Sequence, residues 1–320
     1  MTLIKTGLLN SIAVTIKILT LLGINKVLAI YVGPNGYAAL GQFQNAIQMI
    51  TTFASGAINT GVTKYTAEYI DDEIAQRKVW GTAGTLAIAG SLLGALIIVT
   101  CNETLARWFL NSQEYGGVFI CFAASLVFFS FNTLLLAVLN GKKEIARYVL
   151  ANIAGSVFSL VITSFMAINS GLYGALVALA VYQSFAFIVT LVLCCRSTWF
   201  KFAYFFSGFD VSIALNLSKY ALMALASAAC VPVSHMVVRE YLGNTFGLQA
   251  AGYWEAMWRL SAAYLMLVTT TLSVYYLPRL SELKRVDEIK VEIMQGYRII
   301  LPIAAVSALI IYLLKDFIII

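Results

Sequence analysis

Residues 149–194 read VLANIAGSVFSLVITSFMAINSGLYGALVALAVYQSFAFIVTLVLC, without one Asp, Glu, Lys or Arg. A helix that crosses a bilayer needs about 20 mostly apolar residues. This stretch is long enough for two, and Asn169-Ser170-Gly171 marks the division between them. The expected spans are Val149–Ile168 and Leu172–Cys194. Backbone in hydrocarbon must satisfy its own hydrogen bonds, so continuous runs of this length are helices. A barrel would instead show alternating segments of about ten residues.

Seven further runs repeat the pattern: Leu8–Val32, Tyr37–Val62, Trp80–Cys101, Gly117–Leu139, Tyr220–Val238, Ala251–Leu277 and Tyr297–Leu314. Hydrophobic residues make up 61% of the 320 and charged residues 11%. A soluble domain is about 45–50% apolar and about 25% charged. Mean hydropathy is +0.86. The chain reads as an all-α polytopic membrane protein. The first run is too long for a cleaved signal and is interrupted by Lys17, so it is read as a spanning helix. Phe317–Ile320, apolar after Lys315-Asp316, reads as the start of a tenth helix, and the chain is expected to be the N-terminal part of a longer protein.

Net charge is +6. Fifteen of the 21 basic residues fall on one set of connections, and only Arg107, Arg239 and Lys315 on the other; Lys17, Lys26 and Arg259 lie within spans. This asymmetry predicts a cytoplasmic N-terminus and accounts for the basic balance without nucleic acid. The five cysteines show no CxxC spacing, and all but Cys195 lie in apolar runs, where cysteine is small apolar filler. No disulfide is expected between Cys101 and Cys121. The lone His235 has no metal-ligating neighbours in the sequence, and no cofactor is expected.

Charge inside a membrane is costly and marks function by default. Lys17 lies nine residues into the first span, about 14 Å deep at 1.5 Å per residue. It reads either as facing a polar cavity or as a snorkelling lysine. Lys26, near the far end of the span, is open to the same two readings. Nine residues separate the two, which sets them about 180° apart. Glu255 and Arg259, four apart, share one helix face. They are either a mutually neutralising pair or a cavity pair that substrate opens. Gln42, Asn45, Gln48, Thr52, Ser55 and Asn59 recur at intervals of three and four. Such a stripe glues helices together or lines a wet path.

The connections are plainer. Leu280, Leu283, Val286, Ile289 and Ile293 recur between charges as an amphipathic helix on the membrane surface. Trp199 to Phe209 is aromatic-rich and is expected at the headgroup level. Gly33 to Gln44 (GPNGYAALGQFQ) weakly resembles Gly243 to Glu255 (GNTFGLQAAGYWE). An offset of roughly 210 residues fits a six-helix repeat, a feature of transporter folds.

Five short collinear stretches carry a family resemblance: Gly33-Pro34-Asn35-Gly36, Gly61-Val62-Thr63-Lys64-Tyr65, Leu222-Met223-Ala224-Leu225, Gly252-Tyr253-Trp254-Glu255 and Tyr276-Leu277-Pro278. The chain resembles the Wzx-type polysaccharide flippases of the multidrug/oligosaccharidyl-lipid/polysaccharide exporter superfamily, O-antigen translocases and the enterobacterial common antigen lipid III flippase above all. The resemblance implies two pseudo-symmetric six-helix halves around a central cavity. Residues 1–195 would be the first half, 196–218 a cytoplasmic linker, and 219–320 the start of a truncated second half. It implies a bacterial inner-membrane transporter, not an enzyme, with undecaprenyl diphosphate-linked oligosaccharide as substrate. Membrane lipids, a polysaccharide polymerase and a chain-length regulator are the other implied partners.

Three functions compete. A flippase for an anionic lipid-linked oligosaccharide suits spans holding three basic residues against one acidic. A drug/cation antiporter on the same fold needs intramembrane carboxylates, and Glu255 stands alone. A membrane enzyme needs a sizeable catalytic loop, and Asn102–Gly116 is the longest on its side. The expected cavity residues are Lys17, Lys26, Gln42, Asn45, Gln48, Asn59, Glu255 and Arg259.

Overall fold

The computed structural model describes residues 3–55 and 57–271, with isolated helical residues between 293 and 309. Among these the chain is all helix: α1 (Leu3–Tyr31), α2 (Gly33–Ala54), α3 (Asn59–Glu68), α4 (Glu73–Thr100), α5 (Asn102–Leu110), α6 (Gly116–Gly141), α7 (Ile145–Cys195), α8 (Val211–Phe246) and α9 (Leu248–Thr271). Ile12–Tyr31, Glu73–Thr100, Gln113–Gly141 and Ile145–Cys195 are long and apolar enough to cross a membrane. The surface amphipathic helix from Leu280, the Tyr276-Leu277-Pro278 stretch, most of the ninth span and Phe317–Ile320 lie outside the described residues.

The uncharged stretch forms α7, 51 residues long. At 1.5 Å per residue this is about 76 Å, more than twice a bilayer core of about 30 Å. Gly171 (φ 55°, ψ −134°) resolves the excess by interrupting the helix. Only glycine takes that conformation without strain. Phe158 and Phe185 stack 6.5 Å apart across the bend, so the two limbs run antiparallel. They are the two expected spans.

The second span is not one helix. α2 ends at Ala54, Ala57 has φ 51°, and a new helix begins at Asn59. The apolar run hides this break. Thr51, Thr52 and Ser55 donate their hydroxyls to carbonyls of the preceding turn, at Ile47, Gln48 and Thr52. Such back-bonding bends helices and competes with their continuation. Ser55 therefore ends α2, and Asn59 stands on a different helix from Gln42.

α1, α2, α6 and α7 share one core, holding Leu28, Leu40, Phe43, Phe119, Phe122 and Leu176. Apolar side chains gain little by leaving lipid for protein, so small residues and hydrogen bonds carry specificity between membrane helices. A Cβ at Gly90 would overlap the Ala54 carbonyl oxygen, which places α4 directly on α2. Ser91 bonds Ser130 at 2.7 Å between α4 and α6. Asn132 donates to Gln183 at 2.6 Å and accepts from Thr190 at 2.8 Å, joining α6 to α7.

The aromatic segment is more than a headgroup-level linker. Phe205 is fully buried and Phe200 nearly so, packed with Trp80 and Phe131. A Cβ at Gly84 would overlap the Phe205 carbonyl oxygen, so α4 admits this backbone directly. Phe206 and Phe209, by contrast, are exposed. The segment is a plug with one buried and one exposed face. Asp210 then caps α8, accepting from the backbone N–H of Ser212 at 2.9 Å and of Ile213 at 3.3 Å. Hydrogen bonds from the Ser212 hydroxyl and these N–H groups hold its carboxyl below the ordinary range. The cap is fully effective above about pH 4, the unfolded value, and weakens as pH falls through the lowered value.

Phe205→Ala should cost about 3–5 kcal/mol, the usual loss for a buried phenylalanine. Phe206→Ala should cost little. Unfolding of both variants in detergent checks the contrast.

Candidate functional site

Arg239 lies inside α8, not in a connection, because α8 runs on to Phe246, eight residues past the last apolar position of the expected span. It is only 3% exposed, and so is Glu255 of α9. Arg239 Nε stands 3.0 Å from Glu255 Oε2, and Arg259 Nε donates to Glu255 Oε1 at 2.8 Å. One carboxylate thus serves two guanidiniums. The sequence spacing shows only the Arg259 half of this arrangement.

The outer faces of both guanidiniums reach α2. Arg239 Nη1 donates to Gln42 Oε1 at 2.7 Å, and Arg259 Nη2 to Gln44 Oε1 at 2.9 Å. Asn45 donates to the carbonyl of Pro232 in α8 at 3.4 Å. Gln42 and Asn45 therefore serve the seam where α2 meets α8 and α9. Gln48 is exposed further along α2, and Asn59 helps line a separate pocket of about 490 Å³ with Thr63, Lys64, Leu136 and Asn140. Gln44 is off the stripe's phase and was not expected.

Aromatic rings wall the cluster. Arg239 lies 5.6 Å from the Trp254 ring centre and Arg259 5.7 Å from that of Tyr37, within cation–π range. His235 packs 4.3 Å from Trp258 and 5.4 Å from Trp254. It belongs to this wall.

Two close backbone approaches close the seam. A Cβ at Gly41 would overlap the Glu255 carboxylate, and one at Gly252 would overlap the Pro34 carbonyl oxygen. Beside Pro34 lies a cavity of about 300 Å³ bounded by Asn25, Ala29, Tyr37, Tyr253, Met257 and Leu260. The turns on either side share one device. Gly33 (φ 71°) joins α1 to α2, and Gly247 (φ 91°) joins α8 to α9, 214 residues later.

Lys17 is exposed. Seven and eleven residues on, Ile24 and Leu28 are buried. On a regular helix they fall about 20° to either side of Lys17, so Lys17 has the inward register yet is open. Lys26 falls on the other side, in phase with the exposed Leu19 and Ile30. No group of three or more His, Cys, Asp or Glu able to hold a metal occurs among the described residues.

The pattern of the family described as "Polysaccharide biosynthesis protein" matches residues 3–284. The "Lipid III flippase" of Escherichia coli (strain K12) is 30% identical over 318 residues, 99% of this chain and 76% of that protein. The Shigella flexneri protein of the same name matches to the same extent. Among solved structures, an inward-facing MATE family transporter of the MOP superfamily superposes with a TM-score of 0.73 at 18% identity, covering 94% of this chain and 70% of that one. An outward-facing MATE transporter gives 0.68 at 18% identity, covering 99% and 74%. The fold is that of these membrane transporters.

Breaking a buried ion pair by removing one partner costs about 3–5 kcal/mol. Glu255→Gln strands two cations and should show that full loss. Arg259→Gln leaves Glu255 balanced by Arg239 and should cost less than half as much. The Glu255→Gln/Arg259→Gln double variant still strands Arg239 and should recover little. Unfolding midpoints in detergent would test this order.

Proposed function

The chain belongs to the polysaccharide biosynthesis protein family, and on that premise we propose that it flips undecaprenyl diphosphate-linked oligosaccharides from the cytoplasmic to the periplasmic leaflet of a bacterial inner membrane. The observation that carries this reading is the seam's charge. Two arginines meet one carboxylate between apolar helices, leaving one positive charge in excess. Such a site attracts an anionic headgroup and repels cations. A sugar-bearing headgroup also needs a polar lane through the membrane, which Gln42, Asn45 and Gln48 would supply. Lys17, inward in register and open, would add a mobile point charge suited to a ligand that must be released.

The basic residues favour a cytoplasmic N-terminus. With Arg239 moved from a connection into the seam, their asymmetry becomes steeper still. Residues 1–195 and 219–320 would then be parts of two halves that rock about the α2–α8–α9 seam, joined by the aromatic plug. Transport makes and breaks no covalent bond, so the chain would act as a transporter that hands repeat units to a polymerase and chain-length regulator. A cation antiporter would need a carboxylate free to take its cargo. Glu255 is already held by two guanidiniums, which weighs against that alternative.

In a strain lacking its own flippase, this gene should restore surface polysaccharide and clear lipid-linked repeat units from the cytoplasmic leaflet. Failure of both with the protein inserted would overturn the reading. Lys17→Ala should lose display, Lys17→Arg should keep part of it, and Lys17→Glu should fail completely. Normal display from Lys17→Ala would reduce the residue to a snorkelling lysine.

A further inference from the structure

We propose that the Glu255 carboxylate is an internal substitute for the substrate's diphosphate, displaced from Arg239 and Arg259 when substrate arrives; this rests on the flippase reading above. Guanidinium N–H groups bind carboxylate and phosphate oxygens in the same planar geometry. Two of them already converge on one anion here, at 2.8 Å and 3.0 Å. The anion in place is the protein's own.

Two observations mark this arrangement as exchangeable. One contact joins two helices: Arg239 reaches Glu255 from α8 across to α9, so the pair can be parted without unwinding either helix. The charge is also unmatched. One positive charge is left over in the closed seam and draws an incoming diphosphate to the arginines, and the displaced Glu255 carboxylate is hydrated as the seam opens.

Displacement would be felt by the fold. The carboxylate lies against the backbone of α2 at Gly41, where no Cβ fits. The same guanidiniums hold Gln42 and Gln44. An anion that pulls the arginines off Glu255 therefore loosens α2 from α8 and α9 at three adjacent points. Binding of the headgroup and opening of the seam become one event, because substrate interacts differently with the closed and open seams.

The test uses the full chain in phosphatidylcholine nanodiscs, with inorganic pyrophosphate as probe. Affinity is read by calorimetry and by the pyrophosphate-induced rise in unfolding temperature. Glu255→Gln should bind at least tenfold tighter than the unaltered chain and show the larger rise. Gly41→Ala keeps the carboxylate but crowds it off the arginines, and should shift affinity the same way. Adding Arg239→Gln to either should abolish the gain. Equal or weaker binding by folded Glu255→Gln overturns the proposal. Should that variant not fold, unchanged affinity in Gly41→Ala overturns it instead. If phosphatidylglycerol nanodiscs give the same stabilisation without pyrophosphate, the arginines read phospholipid headgroups, and the proposal falls. A parallel assay of undecaprenyl diphosphate flipping in vesicles separates the two claims. Absent flipping by the unaltered chain sinks the flippase reading, whereas flipping without tighter binding in the variants sinks only the substitute anion.

Discussion

A carboxylate buried in an apolar bundle must be paired, and the seam of this protein is organised around that requirement. Glu255 cannot sit 3% exposed without a cation, and a single cation would have sufficed. Two are present, on different helices, and each is completed by a glutamine of α2. Electrostatic necessity thereby becomes a three-helix junction. The rest of the seam accommodates it. Gly41 gives the carboxylate room against α2, Gly252 lets α9 approach Pro34, and the tryptophans of α9 fill the space beside Arg239.

The junction differs in kind from the packing within residues 3–195. There, α1, α2, α4, α6 and α7 meet through interdigitated apolar side chains and short neutral hydrogen bonds such as Ser125 to the Ala180 carbonyl at 2.6 Å. Those contacts have no partner in a ligand, so nothing in transport would exchange them. The contacts between α2 and α8–α9 are charged and polar, and an anion offers both guanidiniums an equivalent alternative. A transporter must hold its moving parts with interactions that substrate can replace. On the proposed reading, the ionic contacts fall where such replacement is needed.

Much of the frame was legible in the sequence because it rests on a length constraint. Within the described residues the expected apolar runs fall on helices, the second of them broken after Ala54, and even the bend at Gly171 was marked by Asn169-Ser170-Gly171. What escaped has specific physical causes. The break after Ala54 is invisible to hydropathy, since the run stays apolar while Thr51, Thr52 and Ser55 divert hydrogen bonds locally. Arg239 was read as a connection residue because it follows the last apolar position, Val238, although α8 continues to Phe246. Its partners lie 16 and 197 residues away, beyond any helical periodicity. Gln44 fell outside the 3/4 stripe because it serves Arg259, while Gln42 serves Arg239 on another side of α2. The aromatic run announced an interface, but which rings enter the core depends on small residues of α4, Gly81 and Gly84, far away in sequence.

The same helical frame carries multidrug transporters at 18% identity, so the frame alone says little about cargo. On the proposed reading, the sign of the charge left over at the seam is what selects an anionic cargo. Here one carboxylate is outnumbered by two guanidiniums, so the charge left over is positive. Reversal would require new carboxylates, and the apolar walls of α1, α2, α8 and α9 offer none among their described side chains but Glu240, which follows Arg239 at the exposed side of α8. On the proposed reading, the cargo's sign is thus built into the covalent structure, and Glu255 sets how firmly the seam is shut.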